Sequence, residues 1–377
     1  MANKIHLAIL FGGKSAEHEV SLESARSIID AVDREKYEVI LIGIDKMGRF
    51  YVGESAKVIL EGTSSDPSSL KSEDHVAWIP DTIKGHLIYL STRKSAGHVD
   101  VVFPALHGPY GEDGTIQGLL KLVHVPFAGA DVLGSAVGMD KDVMKRLLRD
   151  SGIPVPDFVV LNKKVYDRDY QGKVEVSGEK MTFDDLGTCL GLPFFVKPAN
   201  LGSSVGITRV SSEEMFEKAV NEAFQYDHKI LAEENIRGRE IECSVMGNDD
   251  PFASVPGEVI SRHDFYSYDA KYVDDHGADL VIPAQLSEYE TSQIQKLAVQ
   301  TFRVTCCKGM ARVDFFLREN GDIIINEINT IPGFTKISMY PKLWDASGIS
   351  FTELIDRLVA LALERFEDDR KLKTTFK

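Results

Sequence analysis

No stretch of this sequence stays apolar for anything near the ~20 residues that a membrane-spanning helix needs, so no membrane association is expected. Cysteine is scarce: Cys189, Cys243, Cys306 and Cys307 are the four present. No pair of them has C-x-x-C spacing and no histidine pair completes a zinc pattern, which excludes a zinc ribbon and a disulfide scaffold. Free, mostly buried thiols in a reducing compartment are the expectation. Positive charge is also short. Lys and Arg number 43 against 58 Asp and Glu, a formal net charge of −15. Such a surface repels phosphate backbones and excludes wholesale nucleic-acid binding. An anionic ligand must therefore meet a few locally placed cations. Internal repeats and low-complexity blocks are absent. The first apolar run, Ile5–Phe11, is short, contains His6 and lacks a cleavage-site pattern; it reads as a strand rather than a signal peptide. A cytosolic protein is expected.

What is present is 377 residues of ordinary globular composition, 43% apolar and 27% charged, enough for two or three domains. Ile5–Phe11, a helix through Ala25–Val32, and strands at Tyr37–Asp45 and Val99–Leu106 alternate as in an α/β domain with a parallel sheet. Residues 53–98, with Ser64, Ser65, Pro67, Ser68 and Ser69, read as a polar peripheral insertion. Pro126–Gly134 reads as a connection. Asp140 is an N-cap candidate for a helix Lys141–Asp150, which Ser151-Gly152, Pro154 and Pro156 stop. Lys163–Lys180 reads as a surface loop or hairpin, Phe194–Lys197, Gly206–Val210 and Lys229–Glu234 as strands, and Glu213–Ala223 as a helix. The C-terminal helix Phe351–Phe366 buries Leu354, Ile355, Leu358 and Leu361. The resulting division is residues 1–129, 130–234 and 235–377.

Gly12-Gly13-Lys14-Ser15 follows a strand and precedes a helix, as the end of a P-loop does. The full pattern needs a glycine where Ala8 stands, so this is a glycine turn, able to present backbone N–H groups to a carboxylate. A stronger signal lies in Ala311–Asn329. Two apolar runs flank Asn320-Gly321, a leading signal for a two-residue type I′ hairpin. That turn pairs Asp314 with Glu327 and Arg312 with Asn329 on one face, leaving Val313, Phe315, Leu317, Ile324 and Ile328 on a core face. Directly opposed residues have Cβ atoms about 4.5–5.5 Å apart, where two carboxylates repel. A divalent cation between them removes the repulsion, and hard oxygen ligands suit Mg²⁺ or Mn²⁺. The alternative is a solvated acidic face or a salt bridge to Arg312.

The loop Ala199–Gly206, with Ser203 and Ser204, offers N–H groups and hydroxyls to phosphate oxygens beside Lys197, with Lys141 as a second cation. Taken alone, an ordinary hairpin connection fits it as well. Glu233 and Glu240 flank a loop, Asn235–Arg239, that could hold adenine and ribose. Ser261–Ile282 is long, polar and aromatic, with Phe265, Tyr266, Tyr268 and Tyr272, which suits an active-site lid or an exposed hairpin.

The set His107-Gly108 with Gly111-Glu112-Asp113-Gly114, Met139-Asp140-Lys141, Lys197-Pro198 with Gly202-Ser203-Ser204-Val205-Gly206, Ala311-Arg312-Val313-Asp314 and Asn326-Glu327-Ile328-Asn329-Thr330 resembles the D-alanine–D-alanine ligase family. The resemblance covers nearly the whole chain. It implies a three-domain ATP-grasp fold with an N-terminal parallel-sheet domain. It also implies an ATP-dependent ligase that forms D-alanyl phosphate and then D-alanyl-D-alanine for peptidoglycan. Relatives using D-lactate or D-serine, and a phosphotransferase that stops at the phosphorylated product, are the alternatives.

By the same resemblance, Glu17 holds the ammonium of the first D-alanine, with Ser203 and Tyr272 as hydrogen-bonded partners. Lys141, Lys197, Ser204, Glu233, Glu234, Ile236 and Glu240 hold ATP. Asp314, Glu327 and Asn329 ligate Mg²⁺ or Mn²⁺, in all two ions. Arg312 and the Gly333 backbone stabilise the oxyanion, Ser338 and Met339 form the pocket of the second carboxylate, and His107 lies near the first substrate. Tyr272 favours an amine nucleophile over a hydroxyl. A cytoplasmic homodimer is implied, with D-alanine as the small-molecule partner and neither nucleic acid nor membrane.

Overall fold

The computed structural model describes residues 4–62, 70–80, 85–164, 166, 173–176, 179–203, 205–261, 278–373 and 375. Strand Ile5–Gly12 lies between Tyr37–Ile44 and Val101–Ala105 and runs parallel to both. Parallel strands are covered on both faces, so they read as continuous apolar runs rather than alternating ones. Leu7, Ala8, Ile9, Leu10 and Phe11 are accordingly all fully buried. Helix His18–Ala31 covers one face, joined by the C-terminal helix, whose Leu354, Ile355 and Leu358 share a core with Leu7, Ile9 and Phe11. That helix spans Phe351–Arg370, longer than expected. Val359 and Ala362 are buried in it, whereas Leu361 is only partly covered.

The segment 53–98 is a correction. It does not hang from the sheet as an insertion but widens it. Helix Gly53–Glu61 packs on strand Tyr37–Ile44. Strands Phe50–Tyr51, His75–Trp78, His86–Tyr89 and Ser95–His98 continue the sheet antiparallel, giving seven strands. Val76, Trp78 and Leu87 bury against Ala8 and Leu10 on its second face. Strands of two to four residues are too short to display a period. Ser64, Ser65, Pro67, Ser68 and Ser69 lie outside the described residues.

The expected connection Pro126–Gly134 is cut short. Asp131 caps a helix Val132–Met139, which takes in Gly134. Helix Lys141–Asp150 follows with the Asp140 carboxylate accepting from Val143 N–H, as the sequence indicates. A four-stranded antiparallel sheet then contains Phe158–Asn162, Lys229–Glu234, Phe194–Pro198 and Thr208–Val210 in that spatial order. Lys173–Val176 and Glu179–Thr182 pair as a separate antiparallel hairpin. In the third sheet, Arg239–Gly247 lies between Gly257–Ser261 and Gly309–Leu317, and Ile323–Asn329 forms one edge. Gly257–Ser261 pairs with Ala278–Val281, with Ser261 opposite Ala278. The aromatic stretch between them, Tyr272 included, lies outside the described residues. Cys243 and Cys307 are buried but Cys189 and Cys306 are exposed, so half of the thiols depart from the expectation.

Candidate functional site

The hairpin Gly309–Leu317 and Ile323–Asn329 arrives at the expected pairs by an unexpected route. Its turn is not the two-residue type. Arg318 N–H donates to Asp322 O at 2.9 Å, Gly321 N–H donates to Arg318 O at 2.9 Å, and Gly321 has φ +88°. This is a three-residue loop whose left-handed position requires glycine. The pairing near the turn is therefore one residue out of step, with Phe315 opposite Ile325. A bulge between Asp314 and Phe315, with Asn326 as the extra residue, restores the step, and Asp314 faces Glu327 and Arg312 faces Asn329. The bulge also moves the core position: Ile325 is fully buried and the expected Ile324 is not.

Each of the two opposed carboxylates has a cation of its own. Arg312 donates to Asp314 through Nε at 2.7 Å and Nη2 at 2.8 Å, and Asn329 Nδ2 donates to Asp314 Oδ2 at 2.9 Å. Lys141 Nζ lies 3.3 Å from Glu327 Oε2 and donates to Leu201 O at 2.8 Å. The salt bridge to Arg312, weighed above as the alternative, is thus formed, and repulsion across the hairpin does not by itself demand an ion. Glu242 escaped the sequence reading. It pairs with Asp314 from the next strand, and its Oε2 is 2.9 Å from Arg312 Nε. Burial works against the charged guanidinium, but Asp314 and Glu242 hold its pKa well above the ordinary arginine range. The donor chemistry fits a hard cation: Asp314, Glu327 and Asn329 gather carboxylate and amide oxygens on one partly open face.

Lys145 was also missed. It lies one turn after Lys141, on the face of its helix that buries Met144 and Leu148. A lysine at a core position of an amphipathic helix was the available signal. Its ammonium is fully buried, donates to Asn326 O of the bulge at 2.8 Å and lies 3.1 Å from Glu233. Lys197 donates to the other Glu233 oxygen at 2.6 Å. Burial pulls the Lys145 pKa down to about 8. Burial opposes ionisation of Glu233, yet Lys145 and Lys197 hold its pKa below the usual carboxylate value. Glu234 turns the other way and pairs with Arg318 at 2.6 Å. Ile236 is buried, and Glu240 lies between Val259 and Phe316 of the flanking strands.

Glu17 ends the glycine turn and precedes helix His18–Ala31. Gly12 has φ +90° and passes so close to the Ile44 carbonyl that a Cβ there would collide with it. The buried Glu17 carboxylate accepts from Ser203 Oγ, joining the first sheet's glycine turn to the glycine-serine loop. A Cβ on Gly108, at φ +72°, would strike Glu17 Oε2. Ser204 and Tyr272 lie outside the described residues.

His107 is buried, with Nδ1–H donating to Ile331 O at 3.1 Å and Nε2 accepting from Ser24 Oγ at 2.9 Å. Ser24 Oγ in turn accepts from Phe334 N–H at 3.2 Å. Burial lowers the His107 pKa to about 4, so it is neutral and braces the Ile331–Phe334 turn. Within that turn, Gly333 approaches Ser338 Oγ too closely for a side chain. Ser338 N-caps helix Met339–Ala346. The Met339 side chain packs on Val259 and Leu343, leaving its backbone N–H at the helix start.

Glu112 ties the Gly108 turn to the Ile331–Phe334 turn, accepting from Gly108 N–H at 2.8 Å and Ile331 N–H at 3.0 Å. Burial, then Glu17, pushes its pKa up to about 8. A raised carboxyl pKa contributes stability that is complete below 4.5, declines as pH rises, and is gone above about 8. Glu112→Gln is expected to remove that fall, flattening the stability profile by a few kcal/mol. Thermal melts of both chains from mildly acidic to mildly alkaline pH test this; parallel profiles would refute it.

The family model for the D-ala D-ala ligase N-terminus matches residues 6–130, and that for the D-ala D-ala ligase C-terminus matches residues 147–360. The chain is 50% identical over 373 residues to a D-alanine–D-alanine ligase of Oceanobacillus iheyensis, covering 99% of both proteins. It is 48% identical to D-alanine–D-alanine ligase A of Escherichia coli K12, again over 99% of each. Among solved structures, the D-alanine–D-alanine ligase of Coxiella burnetii superposes with TM-score 0.82 at 40% identity, covering 98% of this chain and 97% of that one. The VanG D-Ala:D-Ser ligase of Enterococcus faecalis gives TM-score 0.81 at 33% identity, covering 96% and 100%.

Proposed function

The chain belongs to the D-alanine–D-alanine ligase family, and on that premise we propose which of its residues perform the ATP-dependent joining of two D-alanine molecules. It has the ATP-grasp architecture of its relatives, divided at residues 1–129, 130–234 and 235–377. The family match over the full length carries the reading. The Arg312–Asp314–Glu327–Asn329 face beside Lys141 supports the assignment of roles. The 50% identity to a D-alanine–D-alanine ligase, against 33% to the D-Ala:D-Ser enzyme, favours D-alanine as second substrate.

A carboxylate resists nucleophilic attack until one of its oxygens becomes a good leaving group. In the first step, a carboxylate oxygen of the first D-alanine bonds to the γ-phosphorus of ATP and ADP leaves. In the second, the amine of the other D-alanine adds to the carbonyl carbon and phosphate departs. Glu17, held by Ser203, fixes the first ammonium, with Tyr272 completing the set. Lys141 and Lys197 offset phosphate charge, Ser204 adds a hydroxyl, and Glu233, Glu234, Ile236 and Glu240 line the nucleoside end. Arg312, aimed by Asp314 and Glu242, is charged at every working pH and stabilises the oxyanion with the Gly333 backbone. The second carboxylate meets Ser338 and the N–H of Met339 at a helix N-terminus.

Asp314, Glu327 and Asn329 would hold Mg²⁺ or Mn²⁺, two ions in all, which neutralises charge as two anions approach. A cytoplasmic homodimer serving peptidoglycan synthesis is part of the same proposal. Product analysis after incubation with ATP, Mg²⁺ and D-alanine tests it: D-alanyl-D-alanine and phosphate should appear together. Equal turnover with L-alanine, or a stable phosphorylated product without peptide, would overturn it.

Gly108→Ala probes Glu17 without replacing it, because a Cβ there strikes the carboxylate. The new methyl displaces Glu17 from Ser203, so kcat/KM for D-alanine should fall about 10–100-fold, with a stability cost of ~1–2 kcal/mol for the left-handed backbone and a further cost for the displaced buried carboxylate. An unchanged KM for D-alanine would show that Glu17 does not hold the substrate.

A further inference from the structure

At the end of the first sheet remote from Gly12-Gly13, three potential metal ligands converge. His6 is the second residue of strand Ile5–Gly12, His98 ends the edge strand Ser95–His98, and Asp100 immediately precedes strand Val101–Ala105. Their donor atoms all lie within 4.8 Å of one another. His6 Nδ1 is 3.2 Å from His98 Nε2 and 3.4 Å from Asp100 Oδ2, and His98 Nε2 is 3.9 Å from Asp100 Oδ1. We propose that His6, His98 and Asp100 bind a divalent transition-metal cation of the zinc class, in a site separate from the ligase chemistry.

The spacing carries the argument. Zinc–nitrogen bonds of about 2.0–2.1 Å in a tetrahedron place ligand atoms about 3.3 Å apart. The two shorter edges of the triangle have that length before any ion is added. The backbone fixes the triangle: His6 N–H donates to Asp100 Oδ2 at 2.9 Å, and Asp100 N–H donates to His6 O at 3.0 Å. The other His6 nitrogen, Nε2, lies 3.5 Å from Glu38 Oε2 on the neighbouring strand, where Glu38 pairs with His6. A metal-bound histidine usually sets its second nitrogen on a carboxylate, which orients the ring and raises its basicity. Two imidazole nitrogens facing each other share one proton at best in a hydrogen bond; a cation uses both lone pairs. All three side chains are partly open to solvent, leaving the fourth position to water. His98 and Asp100 lie 92 and 94 residues from His6 in the chain, and His98-Val99-Asp100 alone is no zinc pattern, so cysteine and histidine spacing gave no sign of this site.

Six steps along the strand lead from His6 to Gly12, about 20 Å, so the ion would brace the first sheet without entering the reaction. The full-length chain, freed of metal by chelation, is titrated with Zn²⁺ in the presence of excess Mg²⁺, which occupies the hard-oxygen site. One equivalent should bind, and His98→Ala should weaken binding at least ~10-fold. With Co²⁺ as probe, the wild type should show the intense visible bands of four-coordinate cobalt and His98→Ala should not. Zn²⁺ should raise the melting midpoint of the wild type alone. Magnesium-dependent ligase activity should be equal in both, which establishes that the variant is folded. Absence of saturable zinc binding in the wild type would overturn the proposal. So would a His98→Ala chain that keeps the same affinity and cobalt spectrum, since the exposed Cys189 or Cys306 would then be the ligand.

Discussion

Asp314→Asn is expected to lower D-alanine-dependent phosphate release by roughly 10²–10³-fold, an effect of the size seen when a preorganised charge is removed from a reacting centre. The chain should still fold. Asparagine retains an oxygen to accept from Arg312, and the guanidinium keeps Glu242 at 2.9 Å, so the stability loss should be only ~1–2 kcal/mol. The two effects separate because the proposal gives Asp314 two duties. It is one of three hard-oxygen donors on its face, and it aims Arg312 through paired hydrogen bonds of 2.7 and 2.8 Å. The first duty makes the loss steepest when Mg²⁺ is limiting. Phosphate release measured across a Mg²⁺ series, beside a thermal melt, is the check. Rates equal to those of the unaltered chain at limiting Mg²⁺ would remove Asp314 from the proposed ion site.

The same hairpin shows what a sequence discloses and what it withholds. The pairing of Asp314 with Glu327 was legible because two apolar runs and Asn320-Gly321 fix a register to within one residue. The details were not. The turn takes three residues, and a bulge at Asn326 returns the missing step, so two departures of opposite sense cancel at the site and remain visible only at Ile325. A bulge has no residue signature of its own, whereas helix caps do: Asp140 and the span Lys141–Asp150 were readable to the residue. Segment 53–98 was misread for a different reason. Its strands are short, and their apolar residues Val76, Trp78 and Leu87 make sense only against Ala8 and Leu10, far away in the chain. Glu242 was invisible as a site residue because its partner Arg312 comes from another strand, whereas Lys145 showed only as a lysine on the core face of its helix, with its partner Glu233 hidden far along the chain.

Lys145 supplies the second large effect, through Glu233. The carboxylate lies between two buried ammonium groups, with Lys145 at 3.1 Å and Lys197 at 2.6 Å. Glu233→Gln keeps the shape and removes the charge, leaving two cations together out of water. Breaking a buried pair in this way costs about 3–5 kcal/mol. The pH dependence identifies the cause. In the unaltered chain the Lys145 pKa is lowered from 10.5 to about 8. The unfolded chain therefore binds the extra proton between those values, and stability from this group grows as pH rises through that window. Without Glu233 the Lys145 pKa falls further, so the window opens at lower pH. The deficit of Glu233→Gln should then be greatest in mildly acidic solution and shrink as pH rises to about 8, above which Lys145 is uncharged in both folded chains. Below 4.5 it should also shrink, because Glu233 owes its contribution to a pKa held under that value and loses it as pH falls through the lowered one. Urea unfolding of both chains in mildly acidic solution and above pH 8 measures the difference directly. Lys145→Met serves as the control: Glu233 then keeps Lys197 and no ammonium is stranded, so its deficit should be smaller and should not narrow with alkali. A Glu233→Gln deficit independent of pH would mean that the lost hydrogen bonds, rather than two stranded charges, set the cost.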